Sequence, residues 1–135
     1  AGMTLAVWGL AFKKDTNDVR DAASLRIVPE LLKKGIKVQA HDPEAEQGFI
    51  QEMKKMNVDM SNLTVYDEKY DAVEGCDALL ILNDWKIYRQ PDFQELRKRG
   101  KGKIIFDGKD ILHYRSIEEE KDFSYYSIGR PDLIR

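Results

Sequence analysis

The sequence predicts an α/β protein with one doubly wound, mostly parallel sheet of roughly five to six strands and helices on both faces. Three observations carry this. Short apolar runs alternate with segments whose apolar residues recur at helical spacing. The run Ala78–Leu82 is apolar throughout, as a strand covered on both faces must be. The turns between runs are built from glycine, Asp-Pro and lysine-glycine pairs, which stop elements abruptly.

Thr4 to Gly9 is the first strand, ending at a glycine, and 10–18 is a polar, cationic loop. A helix follows from about Ala22, with Ala23, Ile27, Val28, Leu31 and Leu32 on one face. Lys33-Lys34-Gly35 closes it, because cations suit a helix C-terminus and glycine accepts the left-handed stop. Pro29 lies inside the span and removes one amide donor, so a bend or a late start is expected. Lys37–His41 is the second strand and Asp42-Pro43 its turn; 44–56 reads as helix, with Phe49, Ile50 and Met53 inward. The remaining expectations are a strand at 64–66, a short helix at 68–75, a strand at 78–82, a helix at 91–98, a strand at 103–107 and a sixth strand at 125–128. No repeat or low-complexity tract interrupts the pattern. Residues 1–3 read as an expression remnant or a lead-in, and 4–135 as one domain.

Bulk properties exclude several functions. A net charge of -2, with 34% of residues charged, gives no field for a long polyanion, so nucleic acid is not an expected partner. No apolar run approaches the roughly 18 residues of a membrane helix, and no secretory leader is read at the start. The lone Cys76 forms no internal disulfide and suits a reducing compartment, hence an expected cytoplasmic location.

Open parallel sheets bind ligands at the carboxyl ends of strands, where strand order reverses. The loop after the first strand reads Gly9-Leu10-Ala11-Phe12-Lys13-Lys14-Asp15-Thr16-Asn17-Asp18-Val19-Arg20. It lacks the Gly-x-Gly-x-x-Gly pattern that wraps backbone around a pyrophosphate. It offers Lys13, Lys14 and Arg20 instead: compact point charges and one planar fork. Such a loop is ordinarily a solvated connection.

The longer pattern resembles one family. Gly9-Leu10-Ala11-Phe12-Lys13, then Thr16, Asp18, Arg20, Ser24, Leu25 and Asp42-Pro43, then Asp84-Trp85, Phe106-Asp107-Gly108 and Tyr126-Ser127-Ile128-Gly129-Arg130, looks like the C-terminal, UDP-binding domain of the UDP-glucose/GDP-mannose dehydrogenases. The spacing from Phe12-Lys13 to Arg20 is the specific part. The resemblance implies a Rossmann-like domain that closes over a nucleotide sugar. It implies a preceding NAD-binding domain and a central dimer helix, so a homo-oligomeric full-length protein with NAD held mainly by that other domain. The family oxidises a sugar C6 alcohol to a carboxylate in two hydride transfers. Its nucleophilic cysteine precedes this domain, so the chain by itself is expected to be inactive and to hold no catalytic residue. By the same resemblance, Phe12 and Lys13 meet the nucleotide sugar, and Arg20 reaches the NAD on the neighbouring domain. Lys109 stands where the family has a substrate-contacting arginine; the lysine keeps the charge and loses the bidentate fork. Lys13-Lys14-Asp15-Thr16 looks closer to the UDP-glucose enzymes than to those acting on UDP-N-acetylmannosamine or GDP-mannose.

Other tempting residues have plainer readings. Cys76 is a small packing residue rather than a nucleophile. His41 and His113 are too few and too far apart for a metal site. Asp18 or Asp21 is expected to cap the following helix rather than to act with Asp15 as an acid pair. Glu118-Glu119-Glu120 reads as a solvated helical face. Trp8 and Trp85 are expected to pack, with stacking on a base kept open for Trp85. The rival function is a stand-alone nucleotide-binding or receiver-like regulatory module, which wants an acidic pair after the first strand where this chain has Gly9-Leu10-Ala11.

Overall fold

The computed structural model describes residues 2–10, 23–83, 85–108, 112, 117, 119–127 and 133–134. Six parallel strands form one sheet in the order β3-β2-β1-β4-β5-β6. They are β1 (Thr4–Trp8), β2 (Lys37–His41), β3 (Leu63–Tyr66), β4 (Ala78–Ile81), β5 (Ile104–Asp107) and β6 (Ser124–Ser127). The α-helices lying wholly among the described residues are α1 (Ser24–Lys33), α2 (Glu46–Lys55) and α3 (Phe93–Arg99). The strand order reverses between β1 and β4, which is the doubly wound arrangement with its switch point there.

Alternation along the strands splits the core in two. Ala6 and Trp8 of β1, Leu79 and Ile81 of β4, Ile105 and Tyr125 face one side, against Val73, Tyr88, Leu96 and Phe123. Val7, Val38 and Ala40 face the other, against Val28 of α1 and Phe49 and Met53 of α2. Both layers bury large side chains completely, so each face contributes its own hydrophobic stabilisation. Gly35 ends the α1 turn at φ +79°, as the lysine-glycine stop implies.

Three local differences from the sequence reading have physical causes. The 68–75 segment forms only a 3₁₀ turn at Asp71–Val73. Its carbonyls are taken by a side chain from the sheet: Gln39 Nε2 donates to Ala72 O at 2.8 Å and Glu74 O at 2.9 Å, where further helical amides would have bonded. The α1 N-cap position is Ala23, whose side chain accepts nothing, and Asp15, Asp18 and Asp21 lie outside the described residues. Pro29 sits inside α1 and is buried. In the acidic run, Glu118 lies outside the described residues, while Glu120 is an ion-pair partner of Arg97 rather than a purely solvated group. Asp122 also pairs with Arg97, at 2.8 Å, so this arginine ties α3 to the approach to β6.

Candidate functional site

The carboxyl ends of the four central strands are in register: Trp8 aligns with His41 and Ile81, and Ile81 with Asp107. The segments that carry the candidate cations therefore leave from one edge. Leu10 opens 11–22, and Gly108 follows β5 directly, its amide donating to Ile81 O at 2.9 Å. Only β4 stands between β1 and β5, so these strand ends are about 10 Å apart, two interstrand spacings. Phe12, Lys13, Arg20 and Lys109 themselves lie outside the described residues, as do Asp84 and His113.

The switch point is closely built. Gly9 has φ +108°, and a Cβ there would lie 2.3 Å from Asn83 Cβ and 2.7 Å from Asn83 N. Only glycine allows β1 and β4 to converge this way. Asp42, at the end of β2 and 6% exposed, draws the neighbouring loops together. Its Oδ2 accepts from Leu10 N at 2.8 Å and from Trp85 Nε1 at 3.0 Å. Its Oδ1 accepts from Glu44 N and Ala45 N, both at 2.9 Å. Ser24 Oγ, at the start of α1, donates to Leu10 O at 2.9 Å. Leu10 is thus held by both its amide and its carbonyl.

This geometry tests the fit of NAD to the chain's own switch point. A dinucleotide there uses three glycines and a carboxylate after β2 that receives a ribose hydroxyl. Here one glycine is present, and the Asp42 carboxylate already accepts four N–H donors, about its full capacity. The residues do not fit NAD as a resident dinucleotide of this domain.

Charge narrows the edge further. Beyond β2, a cleft of about 500 Å³ is lined by Asp42, Glu44, Glu46 and Asp67 together with uncharged residues. A diphosphate is repelled there. A larger groove of about 730 Å³ runs between α1 and the 56–62 segment, which leads into the start of β3 and so belongs to the opposite edge.

The remaining sequence candidates are structural. Cys76 is 2% exposed, and burial pushes its thiol up to about 11. His41 is buried beside Tyr88, with Nδ1 2.8 Å from Tyr88 Oη, while Tyr88 Oη donates to His41 O at 3.0 Å. Burial lowers the His41 pKa, with the Asp42 charge opposing that shift. Trp8 stacks on Tyr88 at 5.1 Å, and Trp85 is 8% exposed with its indole bonded to Asp42, so both tryptophans pack. Among the described residues no cluster of three metal-ligating side chains occurs, and no helix is long and apolar enough to cross a membrane. Sequence reasoning missed Asp42 and Ser24 as the holders of Leu10. The available signal was a carboxylate closing a buried strand, since a buried charge must find donors.

Comparison with known proteins identifies the family. Residues 6–114 match the model of the UDP-glucose/GDP-mannose dehydrogenase family, UDP binding domain. The chain is 43% identical over 130 residues to a UDP-glucose 6-dehydrogenase of Pseudomonas aeruginosa, covering 96% of this chain and 28% of that protein. It is 38% identical over 132 residues to one from Bacillus subtilis, covering 96% and 27%. The chain thus spans about a quarter of the length of these relatives. Among solved structures, an NDP-N-acetyl-D-galactosaminuronic acid dehydrogenase from Methanosarcina mazei superposes with a TM-score of 0.75 at 25% identity, over 96% of this chain and 25% of that one. A UDP-glucose dehydrogenase from Pyrobaculum islandicum gives 0.68 at 25% identity, over 84% and 23%. The chain belongs to the UDP-glucose/GDP-mannose dehydrogenase family and corresponds to its UDP-binding domain.

Proposed function

We propose that this domain holds the nucleotide sugar in an NAD-dependent UDP-glucose 6-dehydrogenase. The observation that carries the reading is the single carboxyl edge, at the switch point of a UDP-binding-domain fold, from which both cation-bearing segments leave. Lys13, with Phe12 beside it, meets the nucleotide sugar; Lys109 supplies a second charge to the same ligand; Arg20 reaches the NAD held by the preceding domain. The domain's contribution to rate is indirect. It supplies binding energy remote from the reacting carbon and excludes water when the two domains close. UDP-glucose is favoured over UDP-N-acetylmannosamine and GDP-mannose because curated relatives at 43% and 38% identity are UDP-glucose 6-dehydrogenases. The full-length protein is a homo-oligomer whose own NAD-binding domain is this domain's first partner.

The test is an NADH-production assay of the full-length parent with each of the three nucleotide sugars, beside the isolated chain. Turnover of UDP-glucose by the parent and none by the isolated chain is expected. Preference for either other sugar overturns the substrate, and NADH production by the isolated chain overturns the division of roles.

A further inference from the structure

We infer that Asp42 and Ser24 are positioning residues for the nucleotide: together they clasp Leu10 and so fix the point from which the 11–22 segment departs. The inference rests on the reading of that segment as the carrier of the nucleotide-sugar lysine.

Leu10 is fully buried and is the last described residue before the segment; Ser24 stands at the segment's far side, at the start of α1, and is 1% exposed. The segment's two sides are thus joined directly, Ser24 Oγ donating to Leu10 O at 2.9 Å. The Leu10 amide points the other way, into Asp42 Oδ2 at 2.8 Å. Just before it, Gly9 N donates to His41 O at 2.8 Å, so the Asp42 side chain extends the β1–β2 ladder by one bond past the end of the strands. The same oxygen takes the Trp85 indole, which places the segment after β4 against the same anchor. One carboxylate therefore sets the relative position of the chain leaving β1, β2 and β4. Binding sites held by such supporting bonds keep their geometry to fractions of an ångström, and their loosening shows as lost affinity.

Four N–H donors converge on the two Asp42 side-chain oxygens, so the role needs a side chain that only accepts. In Asp42→Asn, one amide NH₂ must face either Leu10 N and Trp85 Nε1 or Glu44 N and Ala45 N. One orientation breaks the hold on Leu10 directly; the other keeps an acceptor on Leu10 but sets the NH₂ against the two turn amides that fix residue 42, so neither rotamer keeps all four bonds.

Calorimetric titration of UDP into the full-length parent and its variants tests the inference. Asp42→Asn and Ser24→Ala should each weaken UDP binding, Asp42→Asn by about tenfold, the order expected for losing one charge-assisted bond. Lys13→Ala should weaken it as well. The decisive reading is the double-mutant cycle. If the clasp acts by placing Lys13, Asp42→Asn on a Lys13→Ala background should cost less than about twofold. A general loss of stability lowers the melting temperature and leaves the two changes additive in affinity, and additive costs overturn the inference. Should Asp42→Asn fail to fold, Ser24→Ala runs the same cycle. A silent Lys13→Ala refutes the assignment of Lys13 and this inference with it. A costly Lys13→Ala beside silent clasp variants refutes the clasp alone.

Discussion

Replacing Gly9 by alanine isolates the close approach at the switch point. The new Cβ would sit 2.3 Å from Asn83 Cβ, 2.7 Å from Asn83 N and 3.0 Å from Asn83 Cα, on a backbone at φ +108°. Two costs add. Holding a non-glycine residue in a sparsely populated conformation costs about 1–3 kcal/mol. Forcing β4 away from β1 by most of an ångström in a packed core costs about 1–3 kcal/mol more. The sum, about 4 kcal/mol, is a large part of the roughly 5–15 kcal/mol that holds a domain folded. Gly75→Ala separates the two terms, because Gly75 has φ +71° with nothing within 4 Å of the added methyl. It should cost about 1–2 kcal/mol, the conformational part alone. Urea unfolding measures both. With a slope of about 2 kcal/mol per molar, Gly9→Ala should lower the midpoint by about 2 M and Gly75→Ala by about 0.5–1 M. Equal shifts for the two variants would refute the argument that β1 and β4 are in obligatory contact at Gly9.

Further outcomes follow from the buried groups. Cys76, with its thiol raised to about 11, should react with a thiol reagent at pH 8 at least a hundredfold more slowly in the folded than in the unfolded chain, and Cys76→Ser in the full-length parent should leave turnover nearly unchanged; fast native labelling would contradict its placement. Tyr88→Phe leaves His41 Nδ1 and His41 O without their phenolic partner and should cost about 1–3 kcal/mol in the same urea assay. His41 binds its proton less readily folded than unfolded, so the unfolded chain gains a proton first as pH falls below about 6.5. Stability should therefore fall on acidification from pH 7.5 to 5.5, and a His41→Asn background should show a shallower slope; an unchanged slope would remove His41 as its source.

The strand framework is legible because it depends on local chemistry. Lys37–His41 is bounded by a glycine stop and an Asp-Pro turn, and the structure gives β2 those same limits. The apolar 78–82 run lies in the middle of the sheet, as an uninterrupted apolar strand must. The 68–75 segment reads as a helix because its competitor is remote: Gln39 lies more than thirty residues away, and no helical periodicity reports that it will capture the carbonyls of Ala72 and Glu74. The Asp42 clasp was hidden for the same reason. Asp42-Pro43 reads locally as a turn, which the bonds to Glu44 N and Ala45 N bear out, but the bonds to Leu10 and Trp85 exist only once three strand ends align. Trp85 packs, and its buried indole N–H needs the acceptor that Asp42 supplies.

The central claim is that this edge divides its cations between two ligands, and Michaelis constants for UDP-glucose and NAD in the full-length parent test it most directly. Lys13→Ala should raise the constant for UDP-glucose by roughly ten- to a hundredfold with a small effect on NAD, and Arg20→Ala should do the reverse. Lys109→Arg should preserve or tighten UDP-glucose use by restoring the fork, while Lys109→Ala weakens it. Equal, small effects of Lys13→Ala and Arg20→Ala on both ligands would contradict the account.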